Sequence, residues 1–294
     1  MFGGAAVGAA GALGVSSVLA APAQAAPART GLNAVVTART PLIGMSAPAR
    51  VWNQRVQQVG PGLGARRIFA DLGDGPTSQL KLVEQAHAAG LLPVISYKVG
   101  GDIAGAMRGK YNAVAEQAAA RLASYGKPTA VTFWHEPYPD LTPAQYAAAS
   151  QQLLPILRRG RIKVGPILNG WLLDKQQSTF ASYCPDALFN IWDWFGIDSY
   201  ESGTMQAPGP RKPAQRVAAL SAFLRSRGRA GLPIGLGEYN GYSARSIADV
   251  GEALFDTPNV WFGCVWNATG GIGHELTGDR LVAFRNTLAD RRSA

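Results

Sequence analysis

Residues 129–140 read TAVTFWHEPYPD. A short run of β-branched and aromatic residues breaks off at a histidine, a glutamate and a proline. A continuous apolar run of this length suits a strand covered on both faces, as strands of a parallel sheet are. The break then places Trp134, His135 and Glu136 at the strand's C-terminal end. The same design recurs on either side. Residues 191–201, IWDWFGIDSYE, end with Asp198, Tyr200 and Glu201. Residues 232–241, LPIGLGEYNG, end with Glu238 and Tyr239. The run 260–266 ends with Trp266, followed by Asn267.

Apolar runs of this kind lie at 42–45, 67–72, 92–97, 130–134, 164–168, 191–200, 234–239 and 260–266. Helical candidates alternate with them at 51–59, 77–89, 112–125, 143–158, 213–227, 244–255 and 279–290. Thr142-Pro143 reads as an N-cap followed by proline at the first helical position. Gly228 reads as the glycine that closes a helix. Strand and helix in alternation imply a parallel sheet. Eight strands without a break in composition imply an α/β protein with a closed (β/α)8 TIM barrel, as one domain over residues 27–294. Between 168 and 191 no amphipathic helix is legible, so a long loop or short helix is expected there. Pro and Gly at 205–213 mark another long loop, after the sixth run. A doubly wound open sheet would need a glycine-rich phosphate turn after its first strand. Gly60-Pro-Gly62-Leu-Gly64 precedes a strand instead, and Gly235-Leu-Gly237 lies inside one.

Composition bounds the remaining classes. The chain has 294 residues, 47% hydrophobic and 16% charged, which excludes disorder. Its net charge is +9, but the arginines are scattered, as at Arg66-Arg67, Arg158-Arg159 and Arg291-Arg292. Most fall where a helix is expected to end, where a cation offsets the macrodipole. No basic run interleaves with aromatics, so nucleic acid is not an expected partner. Residues 1–28 carry no charge and end in small residues around Ala21, Ala23 and Ala25. That pattern predicts a signal peptide or disordered leader over residues 1–26, and a secreted or cell-wall-associated protein. No later segment is long and apolar enough for stable membrane insertion. The two cysteines, Cys184 and Cys264, could pair or stay as buried thiols.

Polar residues at the strand ends face a partly dry barrel mouth, where TIM barrels carry their chemistry. Two glutamates on opposite walls suit glycoside hydrolysis. One holds a proton for the leaving oxygen and the other is ionised for attack or for activating water. Carboxyls about 5–5.5 Å apart retain the anomeric configuration, and about 6.5–9.5 Å apart invert it. Sugar rings present apolar C–H faces, and aromatics suited to them lie at or near the expected mouth: Trp134, Trp171, Tyr200, Tyr239 and Trp266, with Tyr97, Tyr138 and Tyr242. Asp198 could contact substrate or make a structural hydrogen bond. His135 lacks the second histidine of a zinc helix, since His87 and His274 lie elsewhere, so no metal and no cofactor is expected. Trp52, Trp192 and Trp261 read as packing residues. No G-x-S-x-G elbow for a serine nucleophile occurs.

FWHEP at 133–137, DWFGIDSY at 193–200 and GEYNG at 237–241 together resemble glycoside hydrolase family 26, in the manner of a divergent, actinobacterial-type member. The resemblance runs from about residue 42 to 288. It implies a (β/α)8 barrel and a retaining, β-mannanase-like endo-β-glycosidase working by double displacement. Glu136 would be the acid/base and Glu238 the nucleophile. His135 would bind substrate or steady the carboxylates. Tyr200 would hydrogen-bond the nucleophile, and Trp266 would lie under the reacting sugar. Mannanases of that family usually carry an arginine four residues before the acid, where this chain has Thr132. The alternative is a catalytically weak or inactive carbohydrate-binding barrel at the cell surface. Either way the expected partner is a polysaccharide or oligosaccharide, bound by a monomer.

Overall fold

The computed structural model describes residues 40–269 and 275–290. The leader expected over 1–26, and His274, lie outside them. Nine parallel strands run in the order β5-β4-β3-β2-β1-β9-β8-β7-β6. They are β1 (Leu42–Ser46), β2 (Ala65–Asp71), β3 (Leu92–Lys98), β4 (Thr129–Phe133), β5 (Ile162–Val164), β6 (Ile167–Asn169), β7 (Phe195–Tyr200), β8 (Ile234–Asn240) and β9 (Val260–Trp266).

One of the eight expected strands is broken in two. β5 pairs with β4, and β6 pairs with β7. Only Gly165-Pro166 separates them, and proline cannot donate to a ladder. The neighbours bridge the gap. Gly165 N–H donates to the Val131 carbonyl at 3.0 Å, and Gly196 N–H donates to the Pro166 carbonyl at 2.9 Å. Glu136 N–H, beyond the end of β4, donates to the Ile167 carbonyl at 2.8 Å. The ring therefore closes through the broken strand, and the architecture is a (β/α)8 barrel.

Side chains alternate across the barrel wall. Val94, Ala130, Ile167, Trp194, Phe262 and Cys264 share one buried cluster, while Ile95, Val131, Leu168, Ile197 and Val265 belong to the larger one that also takes in helix residues. The first set fills the barrel and the second backs onto the helices. Bulky Trp194 and Phe262 fit because other positions are small. A Cβ on Gly44 would sit 2.7 Å from the Cβ of Ala65 and 2.8 Å from the Cys264 sulfur. Both cysteines are buried and free.

The longer helices follow the sequence signals: α1 (Trp52–Val59), α2 (Leu80–Ala88), α4 (Asn112–Ser124), α5 (Pro143–Leu157), α9 (Pro213–Ser226), α10 (Ala244–Asp256) and α11 (Gly278–Ala289). α5 opens with a capping box, Thr142 and Gln145 each satisfying the other's backbone N–H. Gly228, with φ +66°, closes α9. α2 starts later than the expected residue 77, because residues 77–79 form a turn that precedes it. The stretch after β6 holds three short helices, α6 (Leu172–Lys175), α7 (Gln177–Ser182) and α8 (Asp186–Phe189). α3 (Ile103–Met107), not anticipated, follows β3. The loop after β7 runs over 201–212, as expected.

Trp52, Trp192 and Trp261 are buried packing residues. Arg66 and Arg67 correct the view of the arginines as solvated helix-end charges, since both lie in β2 and are buried. Arg66 points outward, its guanidinium 4.1 Å from the centre of the Trp52 ring and 3.2 Å from Gln85 Oε1. Burial lowers its pKa to about 10. Arg67 points into the barrel.

Candidate active site

The upper part of the barrel interior is polar, in contrast to the apolar plug beneath it. Ser96, Thr132, Asp198, Glu238 and Arg67 are all buried there. Buried charges persist only when countered or neutralised. Each carboxyl group can therefore be read by what surrounds it.

Glu238 owes its position to an irregularity. Along β7 and β8, Ile197 pairs with Leu236 but Asp198 pairs with Glu238, so Gly237 is an extra residue. Such a bulge turns two consecutive residues toward one face. Leu236 and Tyr239, three apart, accordingly both join the outer apolar layer. Tyr239 is thus fully buried behind the wall, and its expected place in the mouth is corrected. Gly237 must lack a side chain, since a Cβ there would lie 2.5 Å from Asp198 Oδ1.

Glu238 accepts a 2.5 Å hydrogen bond from the Tyr200 hydroxyl and lies 3.9 Å from Arg67 Nε. The Arg67 guanidinium has no hydrogen-bond partner among the described residues, and the Phe69 ring covers it at 4.7 Å. Burial raises the proton affinity of Glu238, while Arg67 and the Tyr200 hydroxyl oppose that rise. Tyr200 is itself held as a phenol, its pKa pushed up by burial and by the Glu238 charge. The sequence reading anticipated Tyr200 but not Arg67.

Glu136 sits in a different setting. It lines a cavity of about 590 Å³. Its φ is +49°, and that of Trp134 is +51°, both in the left-handed region that non-glycine residues rarely adopt. A residue before proline ordinarily takes an extended backbone, and Glu136, which precedes Pro137, departs from that rule. The backbone is held in place by the Glu136–Ile167 hydrogen bond and by Trp134 N–H donating to the Tyr97 carbonyl at 2.8 Å. No side-chain hydrogen bond to Glu136 is present among the described residues, and its pKa is pushed up to about 7, by burial first and the Glu238 charge second. Asp198 is raised as well, by burial and then by Glu238 and Glu136. Three carboxyl groups thus share one guanidinium. Charge balances when Glu238 is ionised and Glu136 and Asp198 hold protons.

His135 joins this group. Its Nδ1 lies 2.8 Å from the Ser96 hydroxyl, and its ring packs at 5.2 Å against Phe69. Burial and the charges of Arg67 and Lys98 hold it neutral. Trp171 lines the cavity and meets Tyr138 edge to face, with ring centres 5.6 Å apart. Asn169 ties that wall down, exchanging hydrogen bonds of 3.0 and 3.1 Å with the backbone of Tyr138. Trp134 is buried, its ring under the Lys98 ammonium at 4.8 Å, so it supports the wall rather than facing a ligand. Trp266 lies across the mouth, edge to face with Phe69 at 6.3 Å, in a separate hollow of about 310 Å³ with Arg67. Tyr97 is buried and bonded to Gln79. The structure thus brings together Glu136, Glu238, His135, Asp198, Tyr200 and Trp171, sets apart Tyr239 and Trp134, and places Trp266 against Phe69, the ring that covers Arg67 and packs on His135.

No protein-family model matches the sequence, and neither does any curated protein. Solved structures share the fold at low identity. A modular endo-β-1,4-mannanase of glycoside hydrolase family 26 from Cellulomonas fimi superposes with a TM-score of 0.57 at 14% identity, over 86% of this chain and 71% of that one. Thermotoga maritima Cel5A, solved with mannotriose, gives 0.62 at 14% identity, over 84% and 98%. A broad-specificity family 5 endoglucanase from Clostridium longisporum gives 0.61 at 12% identity, over 88% and 98%. At these identities the likeness is one of fold.

Proposed function

We propose that this protein is a retaining endo-β-glycosidase related to glycoside hydrolase family 26. The observation that carries the reading is the split between two barrel glutamates. Glu136 has its proton affinity raised to about 7 and opens onto a cavity, whereas Glu238 is held by Tyr200 and Arg67. Two carboxyl groups in contrasting surroundings, one open to a cavity with no side-chain hydrogen bond among the described residues and one met by a phenol and a guanidinium, are what an acid and a nucleophile require. The barrel neighbours, described as a mannanase and as cellulase-type enzymes, agree with it.

Glu238 attacks the anomeric carbon as Glu136 gives its proton to the departing glycosidic oxygen. A glycosyl ester on Glu238 results, and Glu136 is left ionised. It then takes a proton from water, whose oxygen attacks the same carbon and releases Glu238. The ester carries no charge, so Arg67 and Tyr200 favour Glu238 as the leaving carboxylate. Neutral His135 has a donor to offer a sugar hydroxyl. Trp171 and Tyr138 offer apolar faces to the chain. Export, expected from residues 1–26, agrees with a polymeric substrate outside the cell.

Glu238→Ala is the direct test, made on a panel of β-mannans, β-glucans and xylans with the product anomer followed by NMR. A drop of roughly 10⁴-fold or more is expected, since the nucleophile is removed. A variant that cleaves at the wild-type rate overturns the assignment. An inverted first product overturns retention alone.

A further inference from the structure

We infer that the cavity beside Glu136 is built for an acidic β-glycan, its charge carried as uronate carboxylate and met by Lys175 and Arg211, which line the cavity together with Trp171. The inference rests on the reading of this cavity as a glycan site and narrows its substrate class.

It begins with the charges on the cavity wall. Asp140, Asp174 and Glu201 line it, and each has its own cation. Lys98 lies 3.6 Å from Asp140, Arg216 lies 2.7 Å from Asp174, and Lys212 is bonded to Glu201. Glu136 and Asp198 face the same space, and burial favours their protonated forms. Lys175 and Arg211 also line the cavity, and among the described residues neither has an ion-pair partner. Two positive charges are left over. In most positions an exposed lysine or arginine is merely solvated, but these two share a concave wall with an aromatic pair.

Their placement gives the excess a direction. Trp171 caps the start of α6 in helical conformation and Lys175 ends it. Residues four apart on one helical turn face the same way, so the indole and the ammonium serve one bound ring. Arg211 projects from a pinned loop. Its N–H donates to the Ser202 hydroxyl at 3.1 Å, and its carbonyl accepts from Ser202 N–H at 3.0 Å. The Gly203–Pro208 bridge closes the tip of that loop. Its guanidinium fork suits a carboxylate. A neutral glycan would use the aromatic pair and leave both cations idle.

The experiment uses matched oligosaccharides: neutral β-1,4-gluco- and β-1,4-manno-oligosaccharides, and the same chains oxidised at C6 to uronates. Binding is measured by calorimetry on Glu238→Ala, and kcat/KM on the wild type. The carboxylated chains are expected to be favoured about tenfold at low salt, with the preference fading near 0.5 M NaCl as screening shortens to a few Å. A Lys175→Ser/Arg211→Ser double variant is expected to lose most of that ratio. Equal or better binding of neutral chains, or a preference that survives in the double variant, overturns the inference. Hydrolysis without the preference overturns this inference alone. A carboxylate preference in binding without hydrolysis of any chain overturns the hydrolase reading alone.

Discussion

Glu136 and Glu238 are one side chain in two electrostatic settings, and the difference makes a pH prediction. Glu136 must be protonated to act, and its pKa is near 7. The alkaline limb of kcat/KM is therefore expected near pH 7, well above an ordinary carboxylate. The acid limb belongs to Glu238, which must be ionised. Tyr200→Phe removes a donor to that carboxylate and so favours its neutral form. The acid limb is expected to move up by about one unit, and kcat to fall roughly 10- to 100-fold, as for loss of a hydrogen bond to a charged group. A pH–rate profile checks both, and an unmoved acid limb would count against Tyr200 as a partner of Glu238. Tyr200 and both glutamates were legible because each ends an apolar run. Arg67 was not, since an arginine at the edge of such a run reads as a solvated end. Its role rests on Glu238, 171 positions away in the chain.

At the scale of the element, the irregular strands matter more than the regular ones. β8 aims Glu238 only because Gly237 bulges, and a side chain at 237 meets Asp198 Oδ1 at 2.5 Å and Ile167 Cδ1 at 2.7 Å. Gly237→Ala is expected to cost about 1–3 kcal/mol through overpacking and to turn the Glu238 carboxylate away from Tyr200. Thermal melting and kcat together check this, and a variant with native stability and rate would mean that the wall yields freely. Strands with unbroken apolar runs were legible, as were helices that begin at Thr142-Pro143 or end at Gly228. The bulge was not, because bulge and strand glycines look alike in sequence. Nor was the break in the fifth strand, where the 164–168 run spans Gly165-Pro166 and reads as one element. Helices α3 and α6 to α8 are too short to show a 3.6-residue period, so α3 went unmarked and the stretch of α6 to α8 read only as a long loop or short helix.

For the whole molecule, the site's chemistry should appear in its stability. Glu136 binds its proton more tightly when folded, at a pKa of about 7, than in the unfolded chain, where an ordinary Glu value near 4.5 applies. Asp198 shifts in the same direction. Between those two pH values the native state holds more protons than the unfolded one, so stability falls as pH rises. The contribution is complete below pH ~4.5 and lost as pH passes ~7. For Glu136 alone it amounts to about 1–3 kcal/mol, the lower figure allowing for its partial exposure to the cavity. Glu201, whose pKa is lowered by its Lys212 contact, acts the other way and loses its contribution at acid pH. It lies outside the carboxyl cluster and does not cancel the slope. The Tm is therefore expected to peak near pH 5 and to decline toward pH 8. Glu136→Gln keeps the shape and removes the titration. It is expected to melt about 5 °C above the wild type at pH 8, to match it near pH 5, and to lose its activity toward unactivated glycans. Melting curves of both proteins at the two pH values decide the matter. A Glu136→Gln variant whose Tm falls with pH as steeply as the wild type's would show that the barrel does not hold a proton there. The acid would then have to be sought among the other carboxyl groups of the ring, beginning with Asp198.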